Sequence, residues 1–263
     1  MPRTDLPNGV TLNIQIDGPK GAPWVLLSNS LGADLAMWDG QMDLLTRKYR
    51  VLRYDQRGHG LSDAPDGPYS FDTLEADALA IMDHHEVDKA DWIGLSMGGM
   101  TGMGLAIHNP ERFGRMVVAD ARSVATDAYK QMWDQRVEAI QAGGVEAVVE
   151  GSLGLWLTEE FRAANPDVTA ACAEIIKGTS AKGYMASCYA LRELDYFKDL
   201  NGVTIPILYL CGGKDKGAPP EEMQEMAKVT PGAQYVEIPD AGHVSNINQP
   251  EAFNAALAAF LDL

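Results

Sequence analysis

Trp92-Ile93-Gly94-Leu95-Ser96-Met97-Gly98-Gly99 is the stretch from which the rest of the chain can be read. Trp92 to Leu95 is a short continuous apolar run, as in a strand buried on both faces. From Met97 to His108 the apolar residues fall at helical spacing. A serine at so sharp a strand-to-helix turn has a strained backbone and needs neighbours that lack side chains. Gly94 and Gly98 supply them. Gly-x-Ser-x-Gly is short and recurs by chance, and the plain alternative is an ordinary serine in a glycine-rich turn. Its place between strand and helix favours a nucleophile, because the helix N-terminus stabilises developing negative charge.

Outward from this turn, strand and helix alternate. Val10 to Ile16 alternates in polarity like a half-exposed strand, and Trp24 to Leu27 and Tyr49 to Tyr54 read as strands. Phe71 to His85 reads as a helix with Asp72 as its cap, and Met116 to Ala119 as a further strand. This rhythm predicts the α/β class, with a mostly parallel central sheet flanked by helices. It stops after Asp120. Ser123 to about Lys198 is rich in Ala, Glu and Gln at helical spacing, which predicts a helical cap inserted after the sixth strand. Strands resume at Ile205 to Cys211 and Gln234 to Ile238, and Glu251 to Leu261 is a closing helix. The expected division is a core of residues 1–122 and 199–263 with a cap of 123–198.

A serine hydroxyl needs a base, and the base needs an acid to orient it. His243 follows the last predicted strand in a glycine-containing loop, whereas His84, His85 and His108 lie on predicted helices. His59, in the loop Asp55 to Gly60, is the competitor. For the acid, Asp215 after Gly212-Gly213-Lys214 is preferred, since the order serine, acid, histidine is then kept. Asp120, at the end of the preceding strand, is its rival. An oxyanion needs two backbone donors. Met97 N–H is one, and Leu31 N–H, in Ser28-Asn29-Ser30-Leu31-Gly32, is the expected second.

The formal net charge of −16 excludes nucleic acid and anionic membrane surfaces as natural partners, because both require clustered Lys and Arg. A carboxylate-bearing substrate would need a local cation. Arg136 is the first choice, with Arg122 and Arg192 as alternatives. Three cysteines without metal-ligand spacing suggest buried thiols in a reducing compartment. No signal peptide or membrane-spanning run is visible, so a cytoplasmic enzyme for a small-molecule substrate is expected, with no cofactor and no metal.

Several segments resemble the 3-oxoadipate enol-lactone hydrolases, a family of α/β-hydrolase fold. They are Ser28 to Gly32 with Met37-Trp38-Asp39, Arg53 to Gly60, Gly94 to Gly99, Cys211 to Asp215, and Ala241 to Asn246. In the cap, Met132-Trp133-Asp134-Gln135-Arg136 and Gly183 to Arg192 are also similar. The resemblance implies a triad of Ser96, Asp215 and His243, with Trp133 and Arg136 contacting substrate. It implies hydrolysis of 3-oxoadipate enol-lactone in the β-ketoadipate pathway of aromatic catabolism. Asn29-Ser30 stands where many relatives carry His-Gly, and Ala119 to Ala128 departs from the family pattern. Related activities of the same fold are a broad carboxylesterase or perhydrolase and a carbon–carbon bond hydrolase. A slow-turnover ligand receptor is the reading from another class.

Overall fold

The apolar runs become strands. The computed structural model describes residues 3–263. The first half of the core comprises β1 (Arg3–Asp5), β2 (Thr11–Asp17), β3 (Trp24–Ser28), α1 (Asp39–Leu45), β4 (Arg50–Tyr54), α2 (Phe71–His84), β5 (Ala90–Leu95), α3 (Met97–His108) and β6 (Phe113–Ala119). Five helices follow: α4 (Asp127–Gly143), α5 (Glu146–Trp156), α6 (Glu159–Ala164), α7 (Pro166–Lys177) and α8 (Ala181–Arg192). The chain then returns through β7 (Ile207–Gly212), α9 (Pro220–Val229), β8 (Gln234–Ile238), α10 (Ser245–Asn248) and α11 (Pro250–Leu261).

The strands form one sheet of order β1-β2-β4-β3-β5-β6-β7-β8. β1 and β2 pair antiparallel with their neighbours, and the remaining pairings are parallel. β3, β5 and β6 run side by side in the middle, so Ser28, Leu95 and Ala119 finish at one edge of the sheet. Loops after parallel strands gather there, and that is where α/β sheets bind ligands. α3 is apolar nearly all round and buried along most of its length, as a helix wedged into a core must be.

Three local expectations shift. Ser70, not Asp72, caps α2: its Oγ accepts from Thr73 N at 3.2 Å, while Asp72 lies in the first turn, where its charge complements the helix dipole. The strand expected from Ile205 begins at Ile207, because Pro206 has no N–H to give a ladder. β1, α1, α9 and α10 go beyond the expected elements. β1, α1 and α10 are too short to show a period, whereas α9 is an amphipathic helix of ten residues, between the last two strands, that buries Met223 and Met226.

The five-helix cap is clasped at its base. Val124 and Asp195 form an isolated antiparallel bridge, Ala125 N donates to Leu194 O at 2.8 Å, and Tyr196 N donates to Ser123 O at 2.7 Å. Entry and exit strands are thus tied together where they leave the core. No helix among the described residues is long and apolar enough to cross a membrane.

Candidate active site

Ser96 sits between β5 and α3 with φ 55° and ψ −116°, a conformation that non-glycine residues seldom adopt. The strain is held by its surroundings: Ser96 N donates to Ala119 O at 2.8 Å and Gly98 N donates to Asn29 O at 3.0 Å. The two elbow glycines are sterically required. A methyl at Gly94 would overlap the Gly98 carbonyl, and one at Gly98 would overlap the Ser28 backbone.

His243 reaches this serine from the loop after β8. Its Nε2 lies 2.8 Å from Ser96 Oγ, and its Nδ1 lies 3.0 and 2.9 Å from the two carboxylate oxygens of Asp215. All three residues are buried. Asp215 Oδ1 also accepts from Gly217 N at 2.6 Å and Ala218 N at 3.1 Å, which fixes the carboxylate toward the ring. Burial pulls the His243 pKa down, but the adjoining Asp215 carboxylate outweighs it and the net direction is up. Nδ1 therefore holds its proton toward Asp215, leaving Nε2 free to accept one from the serine hydroxyl.

Asp120 is close but faces elsewhere. Its Oδ1 accepts from Gly212 N at 2.7 Å, and its Oδ2 accepts from Ser245 N at 3.1 Å and Ser245 Oγ at 2.5 Å. Burial, reinforced by the Asp215 charge, pushes its pKa up to about 7. Asp120, Cys211 and Asp215 offer ligand atoms within 4.8 Å of one another. Backbone, serine and histidine donors already occupy both carboxylates, and burial keeps the Cys211 thiol protonated. The trio is poorly suited to a cation. His59 also stays outside the cluster, with Nδ1 3.0 Å from Arg57 O.

Leu31 N–H and Met97 N–H are both free of partners among the described residues, Met97 because it opens α3. Asn29 explains how the Leu31 loop is held without the His-Gly of many relatives. Its Nδ2 donates to Tyr54 O at 2.9 Å, its Oδ1 accepts from Trp38 Nε1 at 2.9 Å, and Gln56 Nε2 donates to its carbonyl at 2.5 Å.

The serine opens into a cavity of about 230 Å³. Ser30 and Leu31 line it from the core, and Met132, Trp133, Trp156 and Tyr184 from the cap. Arg122 and Arg136 both border it but differ in state. Arg122 Nη1 pairs with Glu222 at 2.8 Å, and its Nε donates to Gly217 O. Arg136 Nη1 donates to Ser152 Oγ and Tyr184 OH, both at 2.8 Å, and stacks over Trp133. No carboxylate pairs with it among the described residues. Arg192 pairs with Asp134 and does not border the cavity. Trp133 lines the cavity, and its indole N–H has no hydrogen-bond partner among the described residues. Ser152 has no signal in sequence, since a cap-helix serine marks nothing until Arg136 is brought against it.

The family model described as "alpha/beta hydrolase fold" matches residues 23–250. The 3-oxoadipate enol-lactonase 2 of Acinetobacter baylyi is 35% identical over 252 residues, covering 96% of this chain and 93% of its own. The crystal structure of the enol-lactonase from Burkholderia xenovorans superposes with a TM-score of 0.96 at 36% identity, covering all of both chains. A thermophilic esterase from Thermogutta terrifontis, solved with malate bound, gives 0.94 at 27% identity, covering 100% of this chain and 98% of its own. The chain is an ester-cleaving enzyme that belongs to the α/β-hydrolase family, among the relatives of the 3-oxoadipate enol-lactonases.

Proposed function

We propose that the enzyme hydrolyses a small lactone or ester bearing a carboxylate, with 3-oxoadipate enol-lactone, a compound of aromatic catabolism, as its substrate. The observation that carries this reading is the Arg136 guanidinium, which borders the serine's cavity and, among the described residues, bonds only the neutral Ser152 and Tyr184 hydroxyls. A planar guanidinium left without a carboxylate suits a substrate that brings one. The names of the relatives support the same substrate class.

In the proposed reaction Ser96 Oγ attacks the acyl carbon while His243 Nε2 takes its proton. The oxyanion is held by the Leu31 and Met97 N–H groups, each such donor contributing about 100- to 1,000-fold to turnover. The intermediate collapses with cleavage of the acyl carbon–oxygen bond, and His243 returns the proton to the leaving oxygen. Water then gives its proton to His243 Nε2 and attacks the acyl-enzyme, releasing the acid and restoring Ser96. Asp215 holds the imidazole and stabilises its charged form. Trp133 packs over the substrate and offers its free N–H, and Arg122 steadies the Asp215 loop through Gly217. The cap, residues 123–198 in this reading, closes the cavity.

The test is ultraviolet-monitored hydrolysis of the enol-lactone beside short p-nitrophenyl esters, with Ser96→Ala as control. Lactone kcat/KM of about 10⁴ M⁻¹s⁻¹ or more, exceeding the ester value and lost in the variant, is the expected result. Arg136→Met should raise KM for the lactone by about 10- to 100-fold, the equivalent of one charged hydrogen bond, and leave neutral esters nearly unchanged. A broad carboxylesterase is the second reading, favoured by one observation: Ser152 and Tyr184 already satisfy Arg136 in part. Ester turnover without lactone turnover selects it.

A further inference from the structure

Asn248 lies five residues beyond His243 and is 3% exposed. An asparagine amide can make four hydrogen bonds, and this one makes all four. Its Oδ1 accepts from Gly242 N and Thr158 N, both at 3.2 Å. Its Nδ2 donates to Trp156 O and Val244 O, both at 3.0 Å. Two of these partners flank His243 in the core loop, and two lie at the junction of α5 and α6 in the cap. The backbones of the two segments also meet directly, with His243 N donating to Leu155 O at 3.3 Å and Val244 N to Trp156 O at 3.1 Å.

This solves a problem at both ends. The last carbonyls of α5 have no intrahelical donors, and a loop carrying a catalytic imidazole needs a rigid backbone. Each meets the other's requirement, and Leu155 and Trp156 also line the serine's cavity. A helix of the cap is thus terminated by the histidine loop. We infer that Asn248 is a positioning residue that latches the cap to the catalytic loop, so that the wall of the cavity and the imidazole of His243 are held as one unit. It touches neither substrate nor the reacting atoms. It acts through the two backbones it joins, and a histidine displaced by about 1 Å can cost about 100-fold in rate.

This inference rests on the assignment of Ser96 and His243 above, and the experiment separates the two. Wild type, Asn248→Ala and Asn248→Asp are titrated with a fluorophosphonate to count competent serines, with Ser96→Ala as the unlabelled control. Turnover of a short p-nitrophenyl ester is then expressed per labelled site. Asn248→Asp keeps the shape and the acceptor but loses both donors, so it is read if the alanine variant does not fold. The latch predicts that kcat per site falls about 100-fold while KM stays within about threefold. It also predicts faster amide hydrogen exchange in 155–158 and 242–244 together. A purely structural role would lower the number of labelled sites but leave kcat per site at the wild-type value, and that result overturns the latch. Faster exchange in only one segment overturns it as well. Wild type that is labelled elsewhere than Ser96 instead defeats the serine assignment itself.

Discussion

Two buried aspartates lie near His243, and their hydrogen bonds give them different work. Asp215 faces the imidazole with both oxygens, whereas Asp120 spends its oxygens on Gly212 and Ser245. Replacing Asp215 by asparagine should therefore reduce kcat by about 10⁴-fold, through the wrong histidine tautomer. Asp120→Asn should leave kcat at high pH within about tenfold but alter its pH dependence. Asp120 is among the charges that raise the His243 pKa. A general base works only when neutral, so wild-type kcat/KM should fall on acidification with a midpoint above the ordinary histidine value of about 6.5. Removing the Asp120 charge should move that midpoint to lower pH. The amide cannot accept from both Gly212 N and Ser245 N, and the lost bond should cost about 1–3 kcal/mol of stability. A pH–rate profile and a thermal melt check both parts; loss of turnover in Asp120→Asn with survival of Asp215→Asn would reverse the assignment. From sequence alone the two acids differ only in position along the chain. Arg122 and Arg136 are equally alike there, because pairing with Glu222, a hundred residues away, is decided only by the fold.

At the scale of elements, the elbow is a packing constraint before it is a chemical one. β5, α3 and the end of β3 approach so closely that Gly98 has the Ser28 backbone where a side chain would go. Because the obstacle is backbone, Gly98→Ala should not be accommodated by a rotamer change. The expected outcome is protein that is inactive toward esters and less stable by about 1–3 kcal/mol or more, as at other overpacked sites, read by fluorophosphonate labelling and calorimetry. Near-normal labelling would mean that the loop can yield. This part of the site is legible in sequence because strain demands particular residue types at fixed offsets. Asn29, Ser245 and Asn248 are not legible in that way. They are polar loop residues whose partners, Tyr54, Asp120 and Thr158, come from distant elements and repeat with no period. The same holds for Ser70, which competes with Asp72 for one cap until the backbone of Thr73 is in place.

For the whole molecule, the charge of −16 opposes a carboxylate substrate while Arg136 attracts it, and distance decides how salt acts on each. Spread over a sphere of about 20 Å radius, the net charge repels a unit anion at the surface by about 2 kcal/mol at 10 mM salt and about 1 kcal/mol at 150 mM. The Arg136 contact is short and partly buried, so salt screens it far less. The long-range repulsion is thus the more salt-sensitive of the two. Raising ionic strength from 10 to 150 mM should increase kcat/KM for an anionic lactone by about fivefold. A neutral p-nitrophenyl ester should show little change. In Arg136→Met the lactone should keep the rise with salt but start from a lower value, because the variant loses the local attraction and retains the field. A lactone rate that falls with salt would mean that local cations govern the approach, and would direct attention to Lys216 at the cavity's border.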